Sequence, residues 1–242
     1  ESYKLIVVVS AMGDSTDNLV KLGSEFLEDQ SNLENLRDFD QLLSTGEIVS
    51  ASLMSLALRK IGVKSVSFSG SRAGINTNSL HGSARISSVN TKLILEQFEN
   101  KDVIIVAGFQ GVSDSGETTT LGRGGSDTSA VALAAALNAI RCEIYTDVDG
   151  IFSADPRIVP NSKLIENISY EEMLEMASLG AKMHPRSIEI AAINEVTMTI
   201  QHSEKNTKGT ILKKEGEKNM EIRNAVTGIP TSKGVSKVTL NN

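Results

Sequence analysis

The chain has 242 residues, 40% hydrophobic and 22% charged, a make-up that excludes a disordered chain and lets it bury a sizeable core. Its 24 basic and 30 acidic residues leave a formal net charge of −6, which repels phosphate backbones and anionic lipid and argues against nucleic-acid and membrane partners. With one cysteine, Cys142, there is no internal disulfide and no cysteine-rich metal site, so a reducing, cytoplasmic setting is expected with Cys142 as core filler.

In chain order, Lys4–Ser10 is a short apolar run rich in β-branched residues, the pattern of a strand buried on both faces of a parallel sheet. Similar runs at Val63–Ser69, Val103–Ala107, Glu143–Thr146 and Val196–Gln201 predict further strands. Between them, apolar residues at 3.6-residue spacing predict helices over Thr16–Glu28, Gly46–Ile61, Asn90–Phe98, Ser126–Ala139, Ser169–Gly180 and Pro185–Asn194. Strands alternating with helices predict an α/β domain with a mostly parallel sheet covered on both faces. The alanine-rich segment after Ser126 suits close helix–sheet packing, with Ser126 and Asp127 as natural caps. A charged, glycine-interrupted stretch, Lys213–Asn219, reads as a linker, and Met220–Val226 and Val235–Leu240 read as two further strands too few to make a core.

The strongest chemical signal is Thr118-Thr-Thr-Leu-Gly-Arg-Gly-Gly-Ser-Asp127, a polar glycine-rich loop set directly before the alanine-rich helix. Glycines let a ligand approach the backbone, a helix start offers unpaired N–H groups, and Arg123 adds a planar cation that can grip a carboxylate or phosphate. It is neither a Walker loop nor a Gly-x-Gly-x-x-Gly fingerprint, because no Lys-Ser or Lys-Thr follows the glycines and Asp127 stands at the third-glycine position. Ser10-Ala-Met-Gly-Asp-Ser-Thr16 follows a predicted strand, where ligands gather in open α/β sheets; capping accounts for Thr16 or Asp17 but leaves Ser10 unexplained. Thr146-Asp-Val-Asp-Gly150 and Ala154-Asp-Pro-Arg157 present carboxylates and an arginine, and Asp147 and Asp149 suit a ribose or Mg²⁺ as well as they suit a turn. Glu47 opens the helix predicted from Gly46, where the dipole favours an anion. His81, His184 and His202 are too scattered for a helical metal motif, and no Gly-x-Ser-x-Gly elbow is present.

These loops resemble, in order, those of aspartokinases within the amino-acid kinase family. The matching strings are Val7-Val-Val-Ser-Ala11, Ser44-Thr-Gly-Glu47, Ser69-Gly-Ser-Arg-Ala-Gly-Ile75, Gly108-Phe-Gln-Gly111, Thr119-Thr-Leu-Gly-Arg-Gly-Gly-Ser-Asp127, Thr146-Asp-Val-Asp-Gly-Ile-Phe-Ser-Ala-Asp-Pro-Arg157 and His184-Pro-Arg186. The resemblance implies a three-layer α/β/α sandwich over residues 1–213, and a linker with the first strands of a truncated regulatory ACT region over 214–242. It implies transfer of the γ-phosphoryl group of ATP, bound with Mg²⁺, to the side-chain carboxylate of L-aspartate, and a homo-oligomer assembled through the ACT region. By position, Ser10, Thr16, Glu47, Phe109, Arg123, Ser126 and Asp127 would line the aspartate pocket, with Arg123, Ser126 and Asp127 nearest the chemistry. Thr146, Asp147, Asp149, Arg157 and Lys182 would serve the nucleotide.

Such a reaction suits the residues present, because a carboxylate nucleophile is already deprotonated at neutral pH and needs positioning and positive charge more than a base. The alternatives are a glutamate or N-acetylglutamate kinase of the same fold, or a non-catalytic amino-acid-binding module. The family's opening Lys-Phe-Gly-Gly-Thr-Ser loop has no counterpart here, so a protein starting at Glu1 is expected to be inactive until that segment is restored. Gly180-Ala-Lys-Met-His-Pro-Arg186 is one residue shorter between Lys182 and His184 than the family pattern.

Overall fold

The computed structural model describes residues 3–27, 32–181, 183–214 and 226–231. The chain divides into two compact units, Glu1–Ala139 and Ile140–Asn242.

In the first unit the elements run β1 (Leu5–Val9), α1 (Ser15–Ser24), α2 (Leu33–Lys60), β2 (Ser65–Phe68), β3 (Ile75–Thr77), β4 (Ile86–Val89), α3 (Lys92–Gln97), β5 (Val103–Ala107), β6 (Gln110–Ser113), β7 (Thr118–Thr120) and α4 (Gly125–Ala136). Strands β1, β5 and β2 form a parallel sheet with β5 central, Val7 pairing with Ile105 and Ser67 with Ile105. Because side chains alternate across a strand, the apolar run of β5 feeds two cores. Ile104 and Val106 pack with Phe68, Ile94 of α3 and Leu133 of α4, whereas Val103, Ile105 and Ala107 pack with Ala51, Met54 and Leu58 of α2. Helix, sheet and helix thus form the three layers that the sequence pattern predicts. Ile104 is fully buried at the centre, so Ile104→Ala is expected to cost about 2–5 kcal/mol, measured by denaturant unfolding.

A second sheet in this unit has the order β4-β3-β6-β7, with β3 parallel to β6 and the two outer pairings antiparallel. These short strands escape the sequence pattern because they are polar: Thr77 and Thr119 are buried and bond each other through their hydroxyls at 2.6 Å.

The second unit contains β8 (Cys142–Thr146), β9 (Asn167–Ile168), α5 (Tyr170–Ser178), α6 (Pro185–Ile193), β10 (Met198–His202) and β11 (Thr210–Leu212), with strand order β8-β10-β11-β9. Its core includes Ile168, Met173, Ile188, Met198, Ile200 and Leu212, and Cys142 is buried as expected. Ser169 and Glu172 form a capping box at the start of α5, and His184 caps α6 through Nδ1. Over the described residues, five of the eight strand pairings are parallel, which makes the sheets mostly parallel. The strands expected at Met220–Val226 and Val235–Leu240, the linker at Lys213–Asn219 and the division expected at 213/214 fall on or beside residues outside the described set.

Three local expectations are corrected. Helix α2 begins at Leu33, not Gly46, so Glu47 lies in mid-helix, far from the dipole end. Glycine disfavours helix interiors by ~1 kcal/mol. Gly46 is tolerated because α2 crosses the end of β1 there, and a Cβ at this position would lie 2.9 Å from the Cβ of Ala11. Second, Ser126 and Asp127 do not cap α4; the N-cap is Gly124, and both residues lie inside the first turn. Third, α1 starts after Asp14 with no side-chain cap, so capping does not explain Thr16 or Asp17.

Candidate functional site

The site grows from the C-terminal ends of two adjacent parallel strands, β1 and β5, whose last residues Val9 and Ala107 are partners in register. Ser10 and Ala11 leave one strand and Gly108 and Phe109 leave the other, with the Gly108 N–H donating to the Val9 carbonyl at 3.0 Å. Gly108 lets α4 approach: a Cβ there would meet Ser126 Oγ at 2.9 Å, which seats Ser126 directly over the strand end. Phe109 has φ of 66°, a strained conformation for a bulky residue and a mark of a functional site. Its carbonyl accepts the N–H of Leu121 at 2.9 Å, tying it to the glycine-rich loop.

That loop turns through Gly122 (φ 75°) and Gly124 (φ 66°), left-handed positions that side chains resist, and so delivers Arg123 to the surface at the start of α4. Among the described residues, no hydrogen bond or ion pair engages the side chains of Ser10, Thr16, Arg123 or Ser126. Asp127 follows Ser126 in the first turn of α4, is half-buried and does have an interaction partner. An uncompensated guanidinium beside helix N–H groups makes this end of the first unit receptive to an anion.

The opposite charge comes from α2. Glu47 is buried, its Oε1 accepts the Ala11 N–H at 3.1 Å, and its Oε2 has no hydrogen-bond partner among the described residues. Burial pushes the Glu47 carboxyl above the usual carboxylate range, an effect the Ala11 N–H only partly offsets. A buried carboxylate oxygen without a donor is costly, and the cost is relieved by protonation or by a donor or cation supplied from outside the protein. The first unit therefore sets Ser10, Glu47, Phe109 and Ser126 at two adjacent strand ends, with Arg123 on the loop before α4 and Asp127 in its first turn, while Thr16 stands in the first turn of α1; it offers groups suited to both an ammonium and a carboxylate.

In the second unit, β8 ends in Thr146, whose hydroxyl donates to Asp147 at 3.0 Å. Asp149 pairs with Lys205 at 3.4 Å, and Arg157 pairs with Asp155 at 2.8 Å. Thr146, Asp147 and Asp149 thus share one loop at a strand end, while Arg157 lies further along, 88% exposed; Lys182 lies outside the described residues. Among the described residues no group of three or more His, Cys, Asp or Glu side chains is placed to hold a metal ion. His184 and His202 use their rings locally, His202 Nδ1 accepting the N–H of Glu204 at 3.0 Å.

Sequence reasoning missed the polar face of α2. Asp40, Ser44 and Glu47 recur at helical spacing and are all buried, whereas charged residues in a helix suggest a solvated side. Each addresses a different segment of the site: Asp40 accepts from Thr120, the Ser44 carbonyl accepts from Gln110 Nε2 at 2.8 Å, and Glu47 accepts from Ala11. The 28-residue length of α2 and a mean hydropathy of 1.2 over its most apolar window would suffice to cross a bilayer, but this buried polar face marks a core helix.

The model of the amino acid kinase family matches residues 1–202. Aspartokinase 2 of Bacillus subtilis is 46% identical over 241 residues, covering 99% of this chain and 58% of the relative. The chain thus spans somewhat more than half the length of the curated relatives it matches. Among solved structures, aspartate kinase from Synechocystis superposes with a TM-score of 0.76 at 44% identity, covering 89% of this chain and 35% of that one. Aspartokinase III of E. coli, in complex with aspartate and ADP, superposes with a TM-score of 0.70 at 32% identity, covering 83% of this chain and 45% of that one.

Proposed function

Since this chain belongs to the amino acid kinase family, we propose that it is the catalytic part of an aspartate kinase, transferring the γ-phosphoryl group of Mg·ATP to the side-chain carboxylate of L-aspartate. The product would be 4-phospho-L-aspartate, made in the cytoplasm for the synthesis of lysine, threonine and methionine. Its similarity to an aspartokinase caught with aspartate and ADP supports the substrate pair. The observation that carries the acceptor is the buried Glu47, whose Oε2 has no partner among the described residues, set in the same unit as the guanidinium of Arg123, which has none among them either.

An α-amino acid carries an ammonium and an α-carboxylate, and these two groups answer both. Arg123 would grip the α-carboxylate bidentately, and Glu47 would take the ammonium. Ser10, Thr16, Ser126 and the first-turn N–H groups of α4 would then orient the side-chain carboxylate, which attacks as the anion and requires no general base. Phe109 would wall the pocket and Asp127 would order its rim. Thr146, Asp147, Asp149, Arg157 and Lys182 would hold the nucleotide. Mg²⁺ would arrive with the phosphates and need only one or two protein carboxylates.

Aspartate-dependent ADP release with Mg·ATP, set against L-glutamate and N-acetyl-L-glutamate, tests the reading in the full chain as encoded. Aspartate is expected to be preferred by at least about a hundredfold in kcat/KM over the N-acetylated acid, which has no cation to satisfy Glu47. Preference for glutamate or its N-acetyl form would transfer the chain to another acceptor.

A further inference from the structure

We propose that Asp40, together with His81, is a positioning residue that sets the Gly122–Gly124 turn and hence the guanidinium of Arg123. This role rests on the acceptor assignment above. Asp40 is 1% exposed, and a carboxylate so deep is costly unless donors surround it. Four do: His81 Nδ1 at 2.8 Å, the Gly82 N–H at 3.0 Å, the Thr120 N–H at 3.0 Å and the Thr120 hydroxyl at 2.5 Å. A carboxylate only accepts, so Nδ1 of His81 carries the proton in this arrangement.

The donors come from two segments that meet beneath the glycine-rich loop. Thr120 is the last residue of β7 and precedes Leu121, whose N–H holds the Phe109 carbonyl. The 81–84 turn is pinned to the same place, since the Ala84 N–H donates to the Thr120 carbonyl at 2.9 Å and a Cβ on Gly122 would lie 3.1 Å from the Gly82 carbonyl oxygen. Asp40 therefore clamps the stem of the turn from one side while the 81–84 segment backs it from the other. An apolar side chain would fill the space but would leave the Thr120 and Gly82 N–H groups without acceptors. A buried network of this kind fixes one geometry, which is what a two-pronged grip by Arg123 requires.

The test compares Asp40→Asn and His81→Gln with the parent in the full chain, each first shown to be folded by circular dichroism. Hydrogen exchange at the amides of Leu121–Gly125 is expected to quicken by about tenfold, the size of one lost charge-assisted contact, with protection of β5 unchanged. The KM for aspartate is expected to rise by about tenfold while that for ATP moves less than about twofold. Should Asp40→Asn fail to fold, His81→Gln carries the same two readings, because it touches one donor only. Unchanged loop exchange in a folded variant, or a fall in kcat with both KM values unaltered, would overturn the positioning role. The exchange measurement needs no substrate, so it decides the proposal even if the parent enzyme prefers a different acceptor.

Discussion

Arg123→Lys is expected to raise the KM for aspartate by about 10- to 100-fold while leaving nucleotide binding nearly intact. The guanidinium stands at the tip of a turn built from two left-handed glycines, exposed and without a protein partner among the described residues, so little of the fold depends on it. Lysine keeps the charge but presents a point rather than a planar fork, and it cannot donate two parallel hydrogen bonds to one carboxylate. Losing a charge-assisted contact costs ~1.5–3 kcal/mol. The effect should fall on aspartate, because Arg123 is assigned to its α-carboxylate and the nucleotide is assigned to other side chains. Steady-state kinetics with both substrates varied, and nucleotide affinity by calorimetry, check the result. An unchanged response to aspartate would remove Arg123 from the pocket.

The layered fold was legible where burial on both faces writes itself as a continuous apolar run, although the similar run at Lys4–Ser10 forms the edge strand β1, with Leu5 exposed and none of its residues fully buried. Val103–Ala107 is the clearest case, since every residue of β5 is buried and the two core clusters divide them. The four strands of the smaller sheet were not legible: Thr118–Thr120 reads as loop because its partners are hydroxyls and carbonyls rather than apolar side chains. The site was legible where its chemistry required glycine and arginine together, as at Gly122–Gly125. It was illegible where a helix face turned polar toward the interior. Gly46 looked like a helix start and is instead a contact point with Ala11, and that one misreading hid Asp40 and gave Glu47 a dipole role it does not have. Residue spacing reports which side chains share a face, but whether that face meets water or three site segments is decided by tertiary packing.

Glu47→Gln separates binding from folding by moving them in opposite directions. In the absence of substrate the carboxyl is buried, with one oxygen unpartnered among the described residues, and its pKa is raised chiefly by desolvation. An acid whose folded-state pKa is raised adds stability below its unfolded value, ~4.3, and that contribution is lost as pH rises through the folded-state pKa. At neutral pH the ionised carboxylate is therefore a cost to the free protein. Glutamine keeps the shape and removes the charge, so the melting temperature of the variant should equal or exceed that of the parent. Aspartate reverses the balance, because its ammonium at Oε2 stabilises the ionised form and draws the pKa back down. The KM for aspartate should therefore climb in the parent as pH falls through the raised pKa of Glu47. In Glu47→Gln it should be higher by about tenfold or more at neutral pH, with this part of the pH dependence removed. Scanning calorimetry and KM measured across the acid limb test both halves. A variant that melts early yet binds aspartate normally would make Glu47 a structural group of α2, supporting Ala11 and nothing more.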